Sequence, residues 1–245
     1  MALRLMEIDA LRGVAIVGMI LFHAAFDWML LGMWDFDPYG WPLIIAVRAI
    51  QFLFLGLVGV SVALSRRGFR EQLKRGAMIF GCGMLVTGAT WILFPEEYVK
   101  FGVLHFIGVA VPIVALLKGK RALALGLAAV SFFVGEYFLS LSVGSGWLFW
   151  LGLKNPGFSS LDYFPIFPWL AVVLVGLVVG EIFYAKRQPT RLAALTRVNG
   201  LTALGKHSLA IYLLHQPVLY FTLWGLSLAL KGTNECDGTK FGSNA

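Results

Sequence analysis

Charged side chains make up only 13% of this chain, 20 basic and 13 acidic residues among 245. Set against 59% hydrophobic residues and a mean hydropathy of +0.80, that scarcity excludes a water-soluble domain around a single core and points to an integral membrane protein. Cysteine is scarcer still. Cys82 lies in an apolar run and Cys236 in a polar tail, so the two are not expected to pair. There is no CxxC motif for a metal or redox centre, and no metal is expected. Acidic residues are outnumbered, giving a formal net charge of +7. The basic residues fall in short loops between apolar runs, where topology explains them, so no nucleic-acid partner is expected. No small-residue cleavage site follows a short apolar core near the start, and the first span reads as a retained anchor.

Long apolar runs are what the chain has in abundance. They can be drawn at about 10–31, 42–64, 77–94, 101–117, 122–142, 164–184 and 206–230, each near the length that crosses a bilayer. The expected fold is all-α: a polytopic transmembrane helix bundle of about seven spans, eight being the alternative count. One membrane domain over 1–231 is followed by a polar tail, 232–245, read as disordered or as appended in cloning. Trp147 to Leu153 is apolar but too short to cross, and is expected to be interfacial or re-entrant.

Basic residues set the orientation. Arg4, Arg12, Arg66, Arg67, Arg70, Lys74, Arg75, Lys118, Lys120, Arg121, Lys186, Arg187, Arg191, Arg197 and Lys206 fall on one side of this topology. Lys100, Lys154, Lys231 and Lys240 fall on the other, with Asp35, Asp37, Glu96 and Glu97. The positive-inside rule then predicts a cytoplasmic N-terminus and an outer C-terminus in a plasma or inner membrane, with lipids as partners.

Polar residues inside the spans converge in depth. In the first span Arg12 and His23 are eleven residues apart, which on a helix leaves them about 20° from one face and about 16 Å apart along the axis. Asp27 follows His23 at i+4, the spacing at which it would fix the imidazole tautomer. Arg48 and Gln51 in span two, His105 in span four, Glu136 in span five, Asp162 at the mouth of span six and His215 in span seven fall in the outer half or near the midplane. Ionisable groups at one level in a bilayer imply pairing around a cavity. They would serve either as ion pairs locking the bundle or as a functional site.

All eight tryptophans are expected on the outer side or in the outer half, as an interfacial belt or as the wall of an outer vestibule. Glycine pairs, Gly56 and Gly59, Gly81 and Gly83, Gly176 and Gly180, thin spans two, three and six for close packing. Pro217 is expected to bend the last span just after His215.

The string IDALRGVAIVGMILFH, with its arginine and histidine, resembles the first-helix motif of the acyltransferase-3 superfamily. GVLHFIGVA, DYFPIFPWLAVVLVGLVVGE and LGKHSLAIYLLHQPVL resemble small prokaryotic members of the family grouped with the catalytic domain of heparan-alpha-glucosaminide N-acetyltransferase. Together they cover most of the chain from Arg4 to Leu230. The resemblance implies acetyl transfer from cytoplasmic acetyl-CoA, as co-substrate, to an acceptor across the membrane, a sugar or other carbohydrate-like molecule. In the large animal member, the resemblance implies, the active histidine lies in the first lumenal loop. Here the loop Gly32 to Trp41 has no histidine, and His23 is the candidate.

On that reading His23, oriented by Asp27, is a general base toward an acceptor hydroxyl or amine, or carries the acetyl group itself. His105 and His215 complete the catalytic set, His215 as a second acid or base or as a cross-helix hydrogen bond. Arg12, Arg48 and Gln51 are cofactor contacts, with Arg48, Gln51 and His105 also candidate donors to the oxyanion. Glu136, Asp162 and Trp169 are acceptor-binding candidates. The rival reading from another class is a proton-coupled transporter of small solutes, although no inverted repeat or matched pair of interrupted helices is visible. A haem or metal protein using His23, His105 and His215 lacks ligand spacing, and a retinal protein lacks a buried lysine in the last span.

Overall fold

The computed structural model describes residues 5–33, 35, 37, 40–141, 146–184 and 199–238, with 199 and the last eight as backbone only. Arg4, Trp34, Lys186, Arg187, Arg191, Arg197 and Lys240 lie outside the described residues. Among those described, the chain is all-helical. The helices are α1 (Met6–Leu30), α2 (Leu43–Leu64), α3 (Phe69–Leu93), α4 (Val103–Leu116), α5 (Arg121–Leu139), α6 (Ile166–Phe183), α7 (Asn199–Lys206) and α8 (Ser208–Gly238), with a 3-10 helix over Gly146–Leu151.

Six of these are long and apolar enough to cross a membrane: α1, α2, α3, α5, α6 and α8. The span expected over 101–117 is the 14-residue α4, about 21 Å long against a hydrocarbon core of about 30 Å. Its residues are buried on nearly every side. Hydropathy alone does not separate a short core helix from a span, because both are apolar all round. The last expected span is two helices, broken at His207, whose N–H reaches back to Ala203 O and Leu204 O at 3.3 and 3.2 Å. α8 runs through Pro217 as one helix and continues to Gly238, past the start of the polar tail. Trp147 to Leu153 forms the short 3-10 helix and a turn.

The chain divides into two compact units. One is Phe52–Ala193 with Met1–Leu5, and the other is Met6–Gln51 with Ala194–Ala245. α2 begins in the second and ends in the first.

In the first of these, small residues let backbones meet. A Cβ on Gly176 would run into the Gly56 backbone, and one on Gly59 into the Val173 carbonyl, so α2 and α6 touch through their glycine faces as the sequence suggested. Gly76 and Gly108 do the same for α3 and α4, and Gly135 faces Pro168 between α5 and α6. Loops alternate between ends. At one end Lys118 Nζ donates to the Ser65 carbonyl, and Glu181 accepts from Gly119 N–H at 2.6 Å and from Arg121 Nε at 3.1 Å. Exposed Arg66, Arg67, Arg70 and Lys74 belong to the loop and helix start at this end. At the other end Leu161 N–H donates to Glu97 O at 2.7 Å and Lys100 Nζ to Ser159 O at 2.6 Å. There the Tyr163 hydroxyl donates to Phe149 O at 2.7 Å, and burial pushes its phenol pKa up.

In the second unit α1 is pressed against α7. Gly13 lies on the Leu201 carbonyl and Gly205 on the Asp9 carbonyl, with no room for a Cβ at either. α1 ends at Gly32, whose φ of 68° is left-handed. That turn lets Gly32 N–H bond Met29 O at 2.9 Å and Met33 N–H bond Trp28 O at 3.1 Å, which satisfies two carbonyls of the last helical turn.

A side chain at Gly176 is expected to force α2 and α6 apart. Gly176→Leu should lower stability by about 1–3 kcal/mol through overpacking. Gly81→Leu, where a Cβ meets nothing within 4 Å, should be tolerated. Thermal denaturation of both variants in detergent checks the contrast.

Candidate active site

The unbroken helix α1 keeps Arg12 and His23 at their eleven-residue helical spacing, and α8 packs His215 and Gln216 against its second half. His23 Nδ1 lies 3.0 Å from Met19 O and 3.3 Å from His215 Nε2. The two rings meet edge to face with centroids 4.9 Å apart. His215 Nδ1 lies 2.7 Å from Tyr212 O.

These partners fix both tautomers. A carbonyl only accepts, so each Nδ1 carries a proton, and each neutral ring then keeps a lone pair on Nε2. His23 Nδ1–H is therefore shared between Met19 O and His215 Nε2. His23 Nε2 keeps a lone pair that no described residue binds. Such a lone pair can act as a base or nucleophile, and the ring's orientation is set from its far side.

Asp27 does not supply that orientation. It is 1% exposed and its Oδ1 accepts from Gln216 Nε2 at 2.8 Å. The reason is directional: helical side chains lean toward the N-terminus, so His23 Nδ1 reaches back to its own Met19 carbonyl, away from Asp27 one turn ahead. Gln216 was not among the residues singled out in the sequence. Its only signal there is a polar side chain between a histidine and a proline in an apolar run. Its pairing with Asp27 spans 189 positions.

Two cations of this unit are also held. Arg12 Nη1 donates to Asp9 Oδ1 at 2.9 Å, with side chains 22% and 3% exposed. The acidic Glu7 and Asp9 stand in the first turn of α1, where the helix dipole favours them. Arg48 Nη1 donates to Gln51 Oε1 at 3.1 Å at an exposed position of α2.

The other candidates belong to the other unit. His105 stands in the first turn of α4, 2% exposed. Its Nδ1 accepts from Gly102 N–H at 3.3 Å, and its Nε2 lies 3.3 Å from Thr87 Oγ. Thr87 gives its own proton to Val99 O at 2.7 Å, so His105 Nε2–H donates to it. Both nitrogens are thus committed. The ring sits between Phe80 and Phe101, with centroids at 5.1 and 5.6 Å, and Gly83 leaves room for it. Asp162 Oδ2 accepts from Val103 N–H at 2.9 Å and so caps the same helix from 59 residues away. The two side chains hold the start of α4. Trp169 is a core residue, packed on Phe52 and Phe164 with centroids at 5.7 and 4.9 Å. Among the other described tryptophans Trp41, Trp91, Trp147, Trp150 and Trp224 are exposed, as a belt requires. Glu136 is exposed on α5, and His207 is exposed at the α7–α8 break.

The catalytic family model of heparan-alpha-glucosaminide N-acetyltransferase matches residues 4–217. No curated protein and no solved structure matches the chain. The match takes in all of α1 and α8 as far as Pro217, and with them His23, Asp27, His215 and Gln216. The chain belongs to the heparan-alpha-glucosaminide N-acetyltransferase catalytic-domain family, a family of membrane acetyltransferases.

Proposed function

We propose that the protein moves an acetyl group from cytoplasmic acetyl-CoA to a hydroxyl or amine of a carbohydrate-like acceptor on the outer side of the cell membrane, with the N-terminus inside. The observation that carries this reading is the His23–His215 pair, which leaves one uncommitted imidazole nitrogen inside a membrane span.

His23 Nε2 takes the proton of the acceptor O–H or N–H as that atom attacks the thioester carbonyl carbon. The tetrahedral intermediate collapses with cleavage of the C–S bond, and the proton passes from His23 to the departing CoA thiolate. While His23 is an imidazolium, its Nδ1–H faces two acceptors, Met19 O and His215 Nε2, so the transient charge is held by hydrogen bonds already in place. His215 is a positioning residue. Arg12, anchored by Asp9 about three turns before His23, supplies a cation for the CoA phosphates, and Arg48 with Gln51 offers donors to the oxyanion.

Acetyl-CoA binding and CoA release by purified protein test the reading. His23→Ala should slow release by about 10²–10⁴-fold. Arg12→Ala should weaken binding about tenfold, or roughly 1.4 kcal/mol. His215→Ala should cost about tenfold in turnover, partly restored in His215→Gln, whose amide oxygen can accept from His23 Nδ1–H. A wild type with no affinity for acetyl-CoA overturns the proposal, and CoA-independent solute flux through vesicles would then favour proton-coupled transport.

His105 should behave otherwise. His105→Phe leaves Gly102 N–H unpaired and is expected to cost about 1–3 kcal/mol of stability. Its melting temperature should fall while turnover per folded molecule stays near wild type.

A further inference from the structure

Beside the histidine pair, two buried oxygens lack donors. Asp27 Oδ1 is bound by Gln216 Nε2 at 2.8 Å, but Asp27 Oδ2 and Gln216 Oε1 are both buried with no hydrogen-bond partner among the described residues. Asp27 is 1% exposed, so bulk water does not reach it. Buried polar atoms are nearly always paired, and an exception asks for a ligand, a water or an ion. Gln72 Oε1 and Thr202 Oγ1 are exceptions elsewhere, but these two sit on side chains bonded to each other, one helical turn from His23 and next in sequence to His215.

Their chemistry narrows the occupant. A carboxylate oxygen and an amide oxygen both accept, so the group that completes them donates O–H or N–H. A simple alcohol brings one donor, and in the mechanism above that donor is spent on His23 Nε2. A second donor must come from elsewhere on the same molecule.

Resting on the acetyltransferase reading, we infer that Asp27 and Gln216 form a specificity subsite that binds a second donor of the acceptor, a hydroxyl or ammonium next to the group that is acylated. The substrates are then vicinal diols or amino alcohols, as pieces of larger polyols, and monofunctional alcohols are excluded. A site built on hydrogen-bond acceptors rejects an analogue without the donor, because its buried oxygens stay unpaired.

Three acceptors of one size make the test: ethanol, ethylene glycol and ethanolamine, each with acetyl-CoA and the purified full chain, with CoA release as readout. In the wild type kcat/KM for the two bifunctional acceptors should exceed that for ethanol by at least about tenfold. In Asp27→Asn the new amide N–H replaces one orphaned acceptor and can satisfy Gln216 Oε1 from within, so the ratio should fall toward one. Gln216→Leu should lower it as well. If Gln216→Leu does not fold, the wild-type ratio and the near-isosteric Asp27→Asn still decide. Equal use of ethanol and ethylene glycol by the wild type, or an unchanged ratio in Asp27→Asn, overturns the subsite and leaves acyl transfer standing, with water on the orphaned oxygens. A wild type that releases no CoA with any acceptor overturns both.

Discussion

Inside a bilayer a polar side chain finds its hydrogen bonds within the protein or goes without, since hydrocarbon offers none. That constraint separates two polar clusters among the described residues. Around α4 the bonds close: His105 binds Gly102 N–H and Thr87, Thr87 binds Val99 O, and Asp162 binds Val103 N–H. Each proton has an acceptor, and the cluster holds the start of the 14-residue α4. Around His23 and Asp27 the bonds do not close. His23 Nε2, Asp27 Oδ2 and Gln216 Oε1 remain open while their neighbours are pinned. Chemistry needs lone pairs that no hydrogen bond occupies, and of these two clusters only the second has them.

Apolar runs, glycine faces and basic loops were legible in the sequence because each is a one-dimensional signal. The GxxxG face of α6 meets Gly56 and Gly59 of α2 as its spacing required, and the basic loop after α2 falls at the same end of its unit as Lys118 and Arg121. The length of α4 was not legible, since a helix buried in protein and one facing lipid are equally apolar. The role of Asp27 was misread for another reason. Spacing tells which residues share a helix face, but not which way a side chain leans, and the N-terminal lean of His23 gave its Nδ1 to Met19 O. Gln216 was invisible because its meaning lies in a partner on another helix.

Histidine counts carry a similar lesson. The sequence offers four histidines, and three were read as one catalytic set. The structure divides them by the state of their nitrogens: His105 has none to spare, whereas His23 and His215 share a hydrogen bond that leaves one lone pair over. The family match extends over both kinds alike, so membership alone does not select among them. Proton accounting does.

A histidine pair also suits this environment better than the His–Asp arrangement expected from spacing. A carboxylate bonded to His23 would make it a stronger base, but would place a fixed negative charge against the ring at all times. When that ring gained a proton the result would be a buried ion pair, whose desolvation offsets much of its attraction. Two neutral imidazoles avoid a standing charge at that position. Protonation of His23 creates one cation, and His215 Nε2 with Met19 O already faces it, so no group has to turn. The Asp27 carboxylate, bonded to Gln216 one turn further along α1, stands outside this histidine pair.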